Sequence, residues 1–167
     1  VQHCAVTITS ILCNNSGVRL YLLTEGLSKY NEGQLQMLVS KLGGELKIVN
    51  IPKDFVNKLP MPKDINLSHI SVATYYRLFI PELLPVSVDK CIYMDCDIVV
   101  RKSLSSLYEV DLSNYAIGAV YQNDSWALYS DVFGRLDIPQ KYGYFNAGVL
   151  LINIDYWRKH DILSLMR

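Results

Sequence analysis

Lys90-Cys91-Ile92-Tyr93-Met94-Asp95-Cys96-Asp97-Ile98-Val99 is an apolar run closed by two carboxylates set two residues apart. A short, unbroken apolar run, unlike an alternating one, predicts a buried strand of a parallel sheet over residues 90–94. In an extended chain residues i and i+2 face the same side, so Asp95 and Asp97 can aim at one point beyond the strand end. Acids placed there carry a desolvation cost that a positive group offsets. Two carboxylates converging at the mouth of a sheet suit a hard divalent cation, and such a cation suits a diphosphate leaving group. A D-x-D triplet alone is a weak signal, because solvated turns and loop caps produce it often. Its place directly after an apolar strand gives it weight.

On either side of this run the pattern alternates between strands and helices. Residues 1–12 are apolar with small and β-branched members and fit a helix or a strand; Asn14-Asn15-Ser16-Gly17 ends a helix cleanly, so a helix is preferred. Val18–Leu23 and Leu46–Ile51 are strand candidates. Between them a helix runs from Ser28 to about Leu42, with Leu35, Leu38, Val39 and Leu42 on one face and Gly43-Gly44 as its stop. Residues 52–68 hold three prolines and predict a loop that folds around a site. Ser71–Leu84 reads as a helix that Pro81 ends. Ile98–Val100 is expected to continue extended, with a short helix at Ser103–Leu107 and a strand at Tyr115–Tyr121. Residues 122–143 read as a loop with a helical turn. A strand comes next within 145–154, and a final helix starts near Asp155. This order predicts an α/β fold with a mostly parallel central sheet flanked by helices.

Composition bounds the function. The 167 residues are enough for one domain with a substantial core, and 50% hydrophobic against 19% charged residues is a globular balance. A formal net charge of +0 gives no sign of a nucleic-acid partner. No apolar run reaches the about 18–20 residues that a membrane-spanning helix needs, and no charged-then-apolar signal segment opens the chain. Cys4, Cys13, Cys91 and Cys96 form no C-x-x-C pair, so a zinc site is not expected and free thiols of an intracellular enzyme are.

Three blocks carry a resemblance. They are His69-Ile70-Ser71-Val72-Ala73-Thr74-Tyr75-Tyr76-Arg77-Leu78, then Tyr93–Arg101 followed by Ser103-Leu104, then Tyr144–Asn153 followed by Trp157-Arg158. Together, in this order and spacing, they resemble family 8 retaining glycosyltransferases. That family includes bacterial galactosyl- and glucosyltransferases of lipopolysaccharide assembly, and glycogenin. The resemblance covers nearly the whole chain. It implies a GT-A nucleotide-diphospho-sugar transferase fold, a UDP-hexose donor, a Mn²⁺ or Mg²⁺ ion, and a saccharide or glycolipid hydroxyl as acceptor.

Residue by residue, the resemblance implies that Asp95 and Asp97 hold the metal and that Cys96 lies beside the nucleotide. Arg77 would approach the donor sugar and phosphate, and its planar fork suits phosphate oxygens. Asn146 and Ala147 would touch the donor sugar, and the Asn146 amide can read hydroxyls as both donor and acceptor. Gln122 stands where many relatives carry an acid near the acceptor sugar, and with Asn146 it is the candidate catalytic pair. Each has a plainer competitor: a surface ion pair for Arg77, and a turn-forming role for Asn146. Gly148 is expected to permit close backbone packing, His69 to be a local structural histidine, and His160 to lie at the surface. Of Tyr75 and Tyr76, one is expected in the core and one toward the cleft.

The chain also departs from the family pattern. Its first residues match the helix that follows the family's first strand, and it stops before the family's Gln-Asp block, its metal-binding histidine and its basic-aromatic segments. The expectation is therefore one partial GT-A domain over 1–167, short of its first strand and third protein ligand, binding donor weakly and turning over poorly. It would lie on the cytoplasmic side, with any membrane association made through segments outside it.

Overall fold

In the computed structural model, which describes residues 1–56, 72–122, 133–134, 137 and 139–165, the chain starts with helix α1 (Gln2–Asn14). Its inward stripe is Cys4, Thr7, Ile8 and Ile11, the i, i+3, i+4, i+7 spacing of one helix face. Strand β1 (Arg19–Thr24) comes next, then α2 (Lys29–Lys41) and β2 (Glu45–Asn50). The Ser28 hydroxyl caps α2 by accepting from the Asn31 N–H at 3.2 Å. At the other end Gly43 takes φ +71°, the left-handed turn that glycine adopts without a Cβ penalty. β1 and β2 pair in parallel, Arg19 with Glu45 through Thr24 with Asn50. Cys4, Ile8, Leu35, Val39 and Leu46 close one core between α1, α2 and this pair.

After a single turn α3 (Lys53–Val56), the described chain resumes as a 3₁₀ segment, Val72–Phe79, which passes into α4 (Ile80–Leu83). Strand β3 (Lys90–Met94), the turn α5 (Ser105–Tyr108), strands β4 (Ile117–Tyr121) and β5 (Phe145–Asn153), and helices α6 (Ile154–Lys159) and α7 (Ile162–Leu165) complete it. β5 lies between β3 and β4 and is antiparallel to both. The second core gathers Ile80, Leu84, Leu150, Ile152, Ile154 and Trp157. Ile152 and Ile154 are 0% exposed, and full burial of such side chains stabilises by about 1.5–3 kcal/mol each.

The α/β class and the positions of the five strands are as the sequence predicts; the direction of several pairings is not. A mostly parallel sheet is expected, yet only β1–β2 is parallel among the described pairs. An apolar run shows that a strand is covered on both faces but not which way its neighbour runs. Residues 90–94 are also half-buried along their whole length instead of buried, because a groove opens beside them. Of the helix expected over Ser71–Leu84, Ser71 lies outside the described residues and the rest is not one α-helix. Pro81 lacks an N–H and its ring would clash with the carbonyl of Arg77, so the chain stays 3₁₀ up to Phe79 and Pro81 enters the first turn of α4. Ile98–Val100 leaves the sheet, because the Val100 N–H is taken by the Ser10 hydroxyl of α1 at 2.9 Å.

β1 and β3 do not pair with each other. Between their open edges runs a groove of about 1150 Å³, roofed by Cys4, Thr7 and Ile8 of α1 and reaching Arg77 and Asp95. Among the described residues no helix is long and apolar enough to cross a membrane.

Candidate donor site

β3 ends at Met94, and the next residue is held in place from two directions. The Asp95 N–H donates to the Gly148 carbonyl at 2.8 Å, which continues the β3–β5 ladder by one step. Its carboxylate is gripped at Oδ1 by the Tyr93 hydroxyl at 2.5 Å and by the Arg77 guanidinium at 3.3 Å. Arg77 also donates from Nε to the Thr74 carbonyl at 2.8 Å and from Nη1 to the Ala147 carbonyl. Its guanidinium lies over the Tyr93 ring, 4.5 Å from the centroid. The Arg77 side chain is only 12% exposed. It therefore ties the 3₁₀ segment, the end of β3 and the start of β5 together at one point.

Gly148 explains how β5 comes so close. A Cβ there would stand 3.0 Å from Asn146 Oδ1 and 3.2 Å from Asp95 Oδ2. The Gly148 N–H donates to Asn146 Oδ1 at 2.8 Å, which sets the Asn146 amide beside Asp95. Asn146 is exposed and Ala147 half-buried. Gln122 sits at the end of β4, its N–H bound to the Tyr144 carbonyl at 2.9 Å, two residues past Val120, whose register partner is Asn146.

Cys96 and Asp97 lie in a turn instead of extending the strand, so the i, i+2 argument, which needs both carboxylates on one extended segment, does not apply to Asp95 and Asp97. Cys96 and Asp97 are both exposed. Four polar side chains of α1 and its end pin this turn and the segment up to Leu104. Thr7 Oγ1 donates to the Cys96 carbonyl at 2.8 Å, and Ser10 accepts from Val100 N–H. Asn14 donates to the Val100 carbonyl at 3.0 Å, and Asn15 Oδ1 accepts from Leu104 N–H at 2.6 Å. Sequence reasoning missed this anchor. The signal was there: Thr7, Ser10 and Asn14 form a polar stripe at helical spacing in a mostly apolar helix.

Titration reflects the contacts. The Tyr93 hydroxyl is pushed well above its ordinary value, first by burial and then by its bond to the Asp95 carboxylate. The Cys4 thiol donates to the Cys96 sulfur. That bond lowers Cys96 to about 7 against desolvation and the nearby acids, while it and burial raise Cys4. Burial alone pushes Cys91 up to about 12.

A divalent cation fits what is left over. Among the described residues Asp95 Oδ2 accepts no hydrogen bond and Asp97 makes no hydrogen bond or ion pair, so one oxygen of Asp95 and both of Asp97 could meet a cation. Among the described residues no group of three or more His, Cys, Asp or Glu is arranged to hold a metal. Such a cation would take the rest of its shell from water and phosphate.

The glycosyl transferase family 8 model matches residues 1–166. The chain belongs to glycosyl transferase family 8. It is 27% identical to General stress protein A of Bacillus subtilis (strain 168) over 165 residues, covering 96% of this chain and 54% of that protein. It is 31% identical to a putative glycosyltransferase of Haemophilus influenzae, covering 97% of this chain and 48% of that protein. Among solved structures it resembles the galactosyltransferase LgtC in complex with donor and acceptor sugar analogs. The TM-score is 0.81 at 30% identity, over 97% of this chain and 57% of that one. The fold is thus GT-A, as the resemblance implies, and the chain spans about half the length of these relatives.

In this family 8 chain Arg77, Asp95, Asn146, Ala147 and Gly148 meet at one point, with Cys96 and Asp97 on the adjoining turn. Tyr76 is buried and Tyr75 half-buried, and it is the buried Tyr76 that lines the groove, so core and cleft are not divided between the two as expected. His160 is exposed and packs against Tyr156, with ring centroids 4.1 Å apart and the planes tilted by 34°. His69 and most of the 52–68 loop lie outside the described residues. The third block is largely structural. Asn153 caps α6 through the Tyr156 N–H, and the Trp157 indole donates to the Ala116 carbonyl at 2.9 Å. Arg158 donates to the carbonyls of Pro81, Leu84, Pro85, Val86 and Val88.

Proposed function

We propose that these residues are the donor-binding half of a retaining hexosyltransferase site that moves glucose or galactose from a UDP-sugar to a saccharide hydroxyl. The observation that carries this reading is the junction of Arg77 with Asp95 and Ala147, a cation and an acid fixed beside the start of β5. Asp95 and Asp97 would hold Mn²⁺ or Mg²⁺, which when bound offsets charge on the departing diphosphate. Arg77 keeps Asp95 oriented and places positive charge at the edge where phosphate oxygens would lie. Asn146, its amide steered by the Gly148 N–H, is positioned to read donor-sugar hydroxyls. Cys96 would lie beside the nucleotide, and Gln122 is assigned to the acceptor side. No carboxylate is assigned as a nucleophile, and retention would then proceed by front-face attack.

A second reading is a sugar-nucleotide-binding chain that does not turn over. The lack of a third protein ligand among the described residues favours it. Calorimetric titration of UDP-glucose and UDP-galactose, with and without Mn²⁺, tests both readings in wild type and Asp97→Ala. Metal-dependent binding lost in Asp97→Ala supports the donor site. Binding accompanied by hexose release or transfer supports the enzyme, and binding without either supports the second reading. Absence of binding with metal present would sink both.

A further inference from the structure

We propose that Cys4 and Cys96 are a redox-active thiol pair whose oxidation to a disulfide ties the first turn of α1 to the Asp95–Asp97 turn and closes the donor site. Its effect on donor rests on the reading of that site given above. The two cysteines are 92 residues apart in sequence yet share a thiol–thiol hydrogen bond. The contact is held from both sides. Thr7, one turn after Cys4, binds the Cys96 carbonyl at 2.8 Å, and Ser10 and Asn14 fix the chain at Val100. Both cysteines line the same groove.

Their exposures differ in the way a sensing pair requires. Cys96 is exposed, so a small oxidant reaches it first, while Cys4 is buried directly behind it. Hydrogen peroxide would convert the Cys96 thiol to a sulfenic acid, releasing one water. The Cys4 sulfur then attacks that sulfur, the S–S bond forms and a second water leaves. The two sulfurs lose two electrons in all, and the peroxide oxygens gain them. A disulfide needs the two Cβ atoms about 3.5–4.5 Å apart, an approach favoured by the bond from Thr7, one turn after Cys4, to the Cys96 carbonyl. The bond would draw Cys96 onto α1, away from the nucleotide face, and rotate its flanking aspartates.

The experiment treats the reduced 167-residue protein with hydrogen peroxide, alkylates remaining thiols, and maps peptides without reduction. Manganese-dependent UDP-galactose binding is measured in parallel, before oxidation, after it, and after dithiothreitol. The expected result is one intramolecular Cys4–Cys96 disulfide and a loss of binding that dithiothreitol reverses. Cys4→Ala should bind donor when reduced and keep its affinity on oxidation, whereas Cys13→Ser, which retains the pair, should lose binding as the wild type does. A map showing Cys96 over-oxidised, or paired with Cys13 of another molecule, would overturn the pair. A Cys4–Cys96 disulfide that leaves donor binding unchanged would overturn the closure. If the reduced protein binds no donor, the donor-site reading fails, and the peptide map alone upholds or overturns the thiol pair.

Discussion

At the residue scale the site is built by close approach, and Gly148 sets the tolerance. Adding a Cβ puts it 3.0 Å from Asn146 Oδ1 and 3.2 Å from Asp95 Oδ2, so both side chains must give by a few tenths of an ångström. The Asn146 amide is the freer of the two, being exposed and held by one bond. Gly148→Ala is therefore expected to cost no more than about 1 kcal/mol of stability while clearly weakening donor binding. Thermal melting and donor titration on the same variant separate the two effects. Arg77→Lys should behave differently. One ammonium cannot reach the Thr74, Ala147 and Asp95 oxygens that the fork joins, so melting temperature and donor affinity should both fall. Unchanged stability would mean that Arg77 serves only the ligand. Cys91 shows how a side chain's surroundings set its chemistry. Burial raises its thiol from 9.0 to about 12. The folded state then holds a proton that the unfolded state releases above pH 9.0, so stability should fall as pH rises through that window. Cys91→Ala should flatten that limb of a denaturation-versus-pH curve, and a curve of unchanged slope would refute the assignment.

At the element scale, what was legible in the sequence and what was not divide along a physical line. Helix and strand positions were readable because period, caps and glycine stops are local: Ser28 and Gly43 bound α2 as expected. Strand direction was not, since an apolar run such as 90–94 looks the same in either orientation. The break in Ser71–Leu84 was half legible. Pro81 marked a boundary, but whether proline ends one helix or begins another depends on where the preceding carbonyls find partners. In the site, the D-x-D turn and the Asn146–Gly148 stretch were visible as motifs, whereas the α1 anchor through Thr7, Ser10 and Asn14 was not, because its partners are nearly ninety residues away. That anchor can be tested. Ser10→Ala leaves the N–H of buried Val100 without its acceptor, which should cost about 1–3 kcal/mol. Arg158 bears on the same scale, since it closes the 81–88 segment against α6 through five carbonyls. Arg158→Ala should destabilise by about 2–4 kcal/mol in chemical denaturation. A loss under about 0.5 kcal/mol, the range of an ordinary surface change, would show those bonds to be replaceable by water.

At the scale of the whole molecule, two cores stand on either side of one groove, and among the described residues no strand pairing crosses it. β5 is paired along both edges, with Leu151 and Ile152 at 1% and 0% exposure. Among the described residues β1 is paired on one edge, to β2, and its other edge faces the groove. Successive residues of a strand in a parallel pair send their N–H groups alternately toward and away from the partner. Native-state hydrogen exchange should therefore separate the two strands. Amides across the middle of β5, from Leu150 to Ile152, should exchange only with global unfolding. In β1, every second amide should exchange orders of magnitude faster than its neighbours, because the groove gives it no backbone acceptor. Uniform protection along β1 would mean that the groove is closed in solution and that the open edge is filled. Adding a UDP-sugar with Mn²⁺ should slow exchange around Asp95–Asp97 and the start of β5, by mass action on the bound state. The alternation in β1 should stay as it was, because the donor would engage the mouth of the groove and leave its length unpaired.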